Sequence, residues 1–210
     1  MYTPTQFEEA RPEVLRELIR VHPLGLLVTQ GHTLNANHIP FVLDVDDDGA
    51  GVLRAHVPQV NPVWQQFEGD KEALVVFQGA QAYISPSWYP SKKVHGKVVP
   101  TWNYAVVHVR GKPQAIRDAD WIKAQLHDLT TQMETGFDAP WAVADASREF
   151  TDNLISRLVG IEIPIDTIEG KWKISQNRSE ADRHGVIEGL SALGSDEARA
   201  MAAMIEHHDG

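Results

Sequence analysis

The chain has no cysteine among its 210 residues. Disulfides, thiolate metal sites and cysteine nucleophiles are thereby excluded. It also lacks long apolar runs; a stretch such as Leu24–Val28 is far too short to span a bilayer. The first residues, MYTPTQFEEARPEV, carry neither a basic start nor an apolar segment, so no secretory signal is read there. A soluble cytoplasmic protein with no membrane partner is the expectation. Positive charge is scarce: 19 Lys+Arg against 29 Asp+Glu gives a net charge of −10. That balance opposes unspecific attraction to a nucleic-acid backbone, though it leaves room for a local basic patch. The common catalytic and nucleotide fingerprints are missing too. GxGxxG, the P-loop, GxSxG, SxxK and HExxH do not occur.

The hydrophobic content of 42% is enough for a sizeable core. The length suits one large domain or one domain with an appendage. The chain is organised around residues 79–111, GAQAYISPSWYPSKKVHGKVVPTWNYAVVHVRG. A strand-like run, Ala82 to Ser85, leads into a loop punctuated by Pro86, Pro90 and Pro100. A second run, Trp102 to Arg110, is rich in β-branched and aromatic residues. The loop carries Lys92, Lys93, His95 and Lys97, the densest positive cluster of the chain. Such a basic, aromatic loop suits a planar aromatic ligand bearing phosphate. A solvated lysine surface is the plainer alternative.

Elsewhere the pattern predicts a helix over residues 7–21 and a strand over 24–29. A strand over 37–45, a turn at Asp46–Gly49 and a partner strand over 51–57 make a hairpin. Antiparallel pairing would then set Asn37, His38 and Pro40 beside His56. Asn61 is a helix cap with Pro62 at the first helical position, and a helix start there favours an anion. A strand over 73–78 follows. Later come a short strand over 113–116, helices over 118–133 and 147–158, and strands over 160–168 and 171–175, with Gly170 read as the turn between them. Helices over 180–190 and 195–208 complete the chain, each introduced by a serine cap. The order points to an α+β protein, mainly β, built on a closed or split antiparallel barrel decorated by helices.

Ten histidines raise the question of a metal or haem. No pair has ligand spacing, and only His38 and His56 could meet across the hairpin. The last two helices could form a helix-turn-helix around Arg178, Arg183 and Arg199. The interleaved Glu180, Asp182, Glu188, Asp196, Glu197 and Glu206 argue against a DNA-reading helix.

NHIPF at 37–41, AHVPQVNPVW at 55–64, the segment at 75–111 and KWKISQNR at 171–178 resemble the PaiB family. That family belongs to the FMN-binding split-barrel proteins related to pyridoxamine phosphate oxidases and flavin reductases. The resemblance runs from Met1 to about Gly189. It implies a six-stranded antiparallel split barrel over residues 1–178 with a helical appendage over 179–210. It also implies a homodimer with FMN at the subunit interface. Carried over by position, Asn37, His38, Ile39 and Pro40 would line the flavin ring. His56, Asn61, Lys92 and Lys97 would meet the phosphate. Trp88, Trp102, Asn103 and Tyr104 would close the pocket, and Gln176 and Arg178 would reach it from the C-terminal segment. The implied role is negative regulation of transcription by a flavoprotein responding to redox or metabolic state, with DNA as a conceivable partner. The alternative from another class is a flavin-dependent oxidoreductase using NAD(P)H. A third reading places haem in the same cleft.

Overall fold

A computed structural model gives the fold and describes residues 1–31, 33–46, 49, 51–67, 69 and 71–208. In chain order the strands are β1 (Glu8–Glu9), β2 (Leu24–Gln30), β3 (Leu34–Pro40), β4 (Val42–Val45), β5 (Gly51–Pro58), β6 (Ala73–Ile84), β7 (Thr101–Gly111), β8 (Gln114–Ile116), β9 (Leu158–Pro164) and β10 (Thr167–Lys173). The α-helices are α1 (Pro12–Val21), α2 (Lys92–His95), α3 (Ala119–Glu134), α4 (Arg148–Ile155), α5 (Glu180–Leu193) and α6 (Asp196–Glu206). Strands follow in the orders β1-β10-β7-β6-β2-β3 and β4-β5-β9-β8. The α+β class with antiparallel pairing holds. The strands do not close into one six-stranded barrel, as expected from the sequence; they form a six-stranded and a four-stranded sheet.

Two local features depart from the sequence reading. The run over 37–45 breaks into β3 and β4 because Pro40 has no N–H to continue a ladder. The next amide, Phe41 N–H, donates to the Pro23 carbonyl at 2.8 Å. β3 stays with β2, Leu24 opposite Pro40, while β4 pairs with β5, Val42 opposite Arg54. Pairing along one uninterrupted hairpin is thereby corrected: His38 lies opposite Leu26 and His56 opposite Gly160 of β9, although β3 and β5 still pack near each other. Of the turn expected at Asp46–Gly49, Asp47 and Asp48 lie outside the described residues. The second feature is Gly170, which is no turn. It sits within β10 opposite Glu9, where a Cβ would lie 2.2 Å from Leu15 Cδ2 and 2.8 Å from the Glu9 carbonyl oxygen. The chain instead turns at residues 165–166, where Ile165 N–H donates to the Gly51 carbonyl and Asp166 N–H to that of Arg110.

Two compact units divide the chain. The first comprises Met1–Leu18, Gln78–Val107 and Glu169–Gly210. Here β1 pairs with β10, and the buried Glu9 carboxylate accepts two hydrogen bonds from the Arg11 guanidinium at 2.9 and 2.7 Å. Helices α5 and α6 pack on each other and bury Val186, Leu190, Ala198, Met201, Ala202 and Ile205. At about 1.5–3 kcal/mol for each fully buried large aliphatic side chain, this hairpin is a substantial part of the unit's core. Ser179 and Ser195 cap the two helices, their hydroxyl oxygens accepting from Asp182 N–H and Ala198 N–H.

The second unit comprises Ile19–Phe77 and His108–Ile168. Leu53, Ala55 and Val57 of β5 alternate inward, as do Val159, Ile161 and Ile163 of β9. The Trp121 ring of α3 lies over Gly160, so close that a Cβ there would sit 2.4 Å from it. Its indole N–H donates to Glu162 at 3.1 Å. Arg54 stacks over the same ring and bonds Asp44 and Asp128. Trp121 thus has the packing role its helical spacing implies.

Candidate functional site

The first unit gathers cations and aromatic rings at the start of β7, the end of β10 and the loop over residues 85–100. From Ala73 to Arg117 the sequence has no acidic residue. Ser85 caps a short 3-10 helix, Pro86–Trp88, and one turn of α-helix, α2, follows. Lys92, Lys93 and Lys97 are exposed. Lys92 Nζ lies 3.3 Å from the Ser87 hydroxyl, and Lys97 N–H donates to His95 Nδ1. Beside the loop, Trp102 and Tyr83 form an edge-to-face pair with centroids 6.1 Å apart, both about half exposed. The Trp102 indole N–H donates to Gln81 at 3.2 Å.

α5 fixes where this loop sits. Asp182 accepts from Ser91 N–H at 3.1 Å and from the Ser91 hydroxyl at 2.8 Å. Burial pushes the Asp182 carboxyl up, but these bonds and the Ser179 hydroxyl outweigh it and hold the group below its ordinary value. Gly185 and Gly189 make room for Trp88: a Cβ at Gly185 would lie 2.1 Å from the Trp88 carbonyl oxygen, and one at Gly189 2.3 Å from its ring. Trp88 is therefore seated on α5. The buried Tyr89 ring lies under the Arg178 guanidinium, 4.8 Å from ring centroid to Cζ. Burial raises the Tyr89 phenol above its ordinary value, and the nearby Arg178 opposes that shift.

β10 contributes two lysines that the sequence pattern did not single out. Lys171 Nζ donates to the Tyr2 carbonyl at 3.0 Å and lies 5.4 Å from the Tyr104 ring centroid. Lys173 Nζ donates to the Thr101 hydroxyl and to the Trp102 carbonyl, the latter at 2.7 Å. Desolvation, with Lys171 and Arg178 nearby, lowers the Lys173 ammonium below its ordinary value. Their signal was the two-residue spacing within KWK, which puts both on one side of a strand. Asn103 is fully buried and donates to the Ser175 hydroxyl at 2.9 Å. Gln176 closes on its own segment, accepting from Ile174 N–H and donating to the Trp172 carbonyl. The first unit thus carries Lys92 and Lys97 on an exposed loop, Trp102 and Tyr104 on β7, and Arg178 over the Tyr89 ring. It turns Asn103 and Gln176 inward to hold backbone and strand ends.

In the second unit the candidates are Asn37, His38, Ile39, Pro40, His56 and Asn61. Asn61 caps the 3-10 helix Pro62–Gln66, its carbonyl oxygen accepting from Val63 N–H at 3.0 Å. Its amide donates to Asn37 Oδ1 at 3.1 Å. Ile39 is buried in the core. Pro40 ends the ladder with Leu24. His56 Nδ1 lies 2.7 Å from Gln125 Oε1. Burial lowers the imidazole below its ordinary pKa, with the Gln125 bond opposing, so His56 is neutral near pH 7. It also lines an apolar cleft beside α3 and α4. No group of three His, Cys, Asp or Glu side chains gathers as a metal site among the described residues, and no described helix is long and apolar enough to cross a membrane.

FMN needs a dianionic phosphate met by cations and an apolar ring met by flat side chains. Within the acid-free segment the first unit supplies both: exposed Lys92, Lys93 and Lys97, and the exposed faces of Trp102 and Tyr83. The chemistry of these residues fits the group: Lys92 and Lys97 would be its phosphate partners and the aromatic pair its stacking surface.

Comparison with known proteins agrees with this chemistry. The family described as "Putative FMN-binding domain" matches residues 1–167. An uncharacterized protein of Emericella nidulans is 36% identical over 241 aligned positions, covering 98% of this chain and 96% of that protein. The protease synthase and sporulation protein PAI 2 of Bacillus subtilis is 33% identical over 208 positions, covering 98% of this chain and 97% of its own. Among solved structures, the FAD and heme binding protein of Mycobacterium smegmatis superposes with a TM-score of 0.57 at 17% identity, covering 79% of this chain and 73% of that one. The last likeness is one of fold.

Proposed function

The chain belongs to the FMN-binding domain family, and from that premise we propose that it is a PaiB-like flavoprotein acting as a negative regulator of transcription. Bound FMN supplies redox chemistry, so regulation by redox or metabolic state is the natural use of the site. The active form is a homodimer with FMN at the subunit interface. The observation that carries the reading is the acid-free segment from Ala73 to Arg117, which joins three exposed lysines to exposed aromatic faces. The similarity to PAI 2 along 98% of the chain supports the same reading. In this scheme the protein's own residues bind and orient. Lys92 and Lys97 neutralise the phosphate, Trp102 offers its ring, and Asp182 with Gly185 and Gly189 holds the loop in place.

Direct DNA reading is the less favoured route to regulation. In the last two helices Arg199 is engaged with Asp196 and the Gly194 carbonyl, and His184 pairs with Glu188. Control through a second protein is consistent with the net charge of −10. Transcript profiling of a deletion strain tests the role, with complementation by wild type and by the Lys92→Ala/Lys97→Ala double variant. Derepressed transcripts restored by wild type and not by the double variant are expected. An unchanged transcript profile on deletion would remove the regulatory reading.

A further inference from the structure

The second unit holds a cleft of about 450 Å³, and of the residues that the resemblance assigns to the flavin only His56 lines it. This volume falls within the range of small-molecule sites. Leu126 and Thr130 of α3 form one wall, and Phe150 and Leu154 of α4 the other. Trp141 closes the side, and His56 lines the cleft from β5. Trp141, Phe150 and Leu154 are 48%, 58% and 46% exposed, an unusual concentration of half-exposed large apolar side chains around one opening. The Trp141 wall is fixed in place: its backbone N–H donates to Glu134 Oε2 at 2.9 Å, and the next amide, Ala142 N–H, to Asp145 at 2.9 Å.

Among the polar side chains of the lining, which include Thr130, Thr151 and Arg157, His56 offers an imidazole acceptor. Gln125 Oε1 can only accept, so the His56 Nδ1 facing it at 2.7 Å carries the hydrogen. The neutral ring then presents its Nε2 lone pair as an acceptor, and no hydrogen bond to Nε2 occurs among the described residues. Gln125 is fully buried, and its amide nitrogen has no partner there. The His56–Gln125 pair therefore has hydrogen-bonding capacity that the protein leaves unused. The lining includes one cation, Arg157, and no lysine. A compact aromatic alcohol matches this lining better than a phosphate ester does.

We propose that this cleft is a second ligand site, taking a small apolar aromatic molecule whose hydroxyl donates to His56 Nε2. The test is calorimetric titration of the full-length protein with 1-naphthol and with its methyl ether, 1-methoxynaphthalene, with and without saturating FMN. Saturable binding of one 1-naphthol per chain is expected, unaffected by FMN and about tenfold tighter than the ether, the worth of one hydrogen bond. Leu154→Trp fills the cleft from a partly exposed position and should abolish binding. His56→Phe should bring the two probes to equal affinity. The proposal is overturned by the absence of saturable binding below millimolar probe, by displacement with FMN, by equal affinity of the two probes for wild type, or by binding that survives Leu154→Trp in the folded protein. Sedimentation of the same samples adds an independent check. A dimer that dissociates in Leu154→Trp would mean the cleft is covered by a second copy, which also overturns the proposal.

Discussion

Gly185→Ala sets helix propensity directly against packing. Gly185 lies inside α5, where an ordinary glycine-to-alanine change stabilises by about 1 kcal/mol. Here the new Cβ would lie 2.1 Å from the Trp88 carbonyl oxygen and 3.2 Å from Pro90 Cδ, whereas ordinary contact begins near 3.4 Å. The carbonyl has little freedom to retreat. Three residues on, Ser91 is held by two hydrogen bonds to Asp182, itself on α5 one turn earlier. Lys92 N–H is also bonded to the Tyr89 carbonyl at 3.1 Å. Overpacking of this kind costs about 1–3 kcal/mol, and loosening the Ser91–Asp182 bonds adds about 1 kcal/mol or more. These outweigh the propensity gain, and the net is a destabilisation of about 1–3 kcal/mol. Urea unfolding followed by far-UV circular dichroism measures it. The midpoint should fall without a change in slope, while Ser191→Ala on the same helix should leave it nearly unmoved. A Gly185→Ala protein more stable than wild type would refute the seating of the Trp88 loop on α5.

Two further outcomes follow from the same geometry. Asp182→Asn should destabilise by about 1.5–3 kcal/mol at neutral pH, the worth of charge-assisted hydrogen bonds. Because the folded carboxyl titrates below its unfolded value, this contribution is complete above the ordinary aspartate pKa and lost as pH falls through the lower, folded one. Urea midpoints of the two proteins should therefore converge in strong acid, and a constant gap across that range would contradict the charge-assisted bonding. Asn61→Ala removes a cap and the bond to Asn37, so a loss of about 0.5–2 kcal/mol is expected. If FMN affinity also falls at Asn61→Ala in a protein that remains folded, the residue meets the cofactor; unchanged affinity assigns it to capping alone.

Much of the scaffold was legible in the sequence because short-range chemistry decides it. The caps at Asn61, Ser147, Ser179 and Ser195 are all present with their backbone partners. The aromatic, β-branched run after Pro100 became β7, and the helical spacing of Trp121, Ile122 and Leu126 became α3. What was missed depends on the third dimension. Gly170 reads as a turn, yet it is glycine because Leu15 and the Glu9 backbone crowd its Cα. The split of 37–45 into two strands depends on Pro23, far back in the chain, accepting the Phe41 amide. The single turn of α2 is too short to leave a periodic signal. In the candidate site, Lys92, Lys97 and Trp102 were readable as an exposed basic, aromatic loop. Lys171 and Lys173 were not, because only the fold sets them beside Tyr104 and Thr101. The partnership of His56 with Gln125 joins β5 to α3, and nothing local announces it.

FMN binding tests the central claim most directly. The purified protein is equilibrated with excess FMN, desalted, and its visible absorption recorded beside that of Lys92→Ala/Lys97→Ala. Flavin bands retained by wild type at close to one FMN per chain are predicted. The double variant should bind more weakly by about 1.5–3 kcal/mol for each lysine that bonds the phosphate, with unaltered urea stability. A wild-type protein that retains no flavin and shows no uptake at high FMN would contradict the account. Equal retention by both proteins would remove Lys92 and Lys97 from the phosphate site and return them to an exposed, solvated loop.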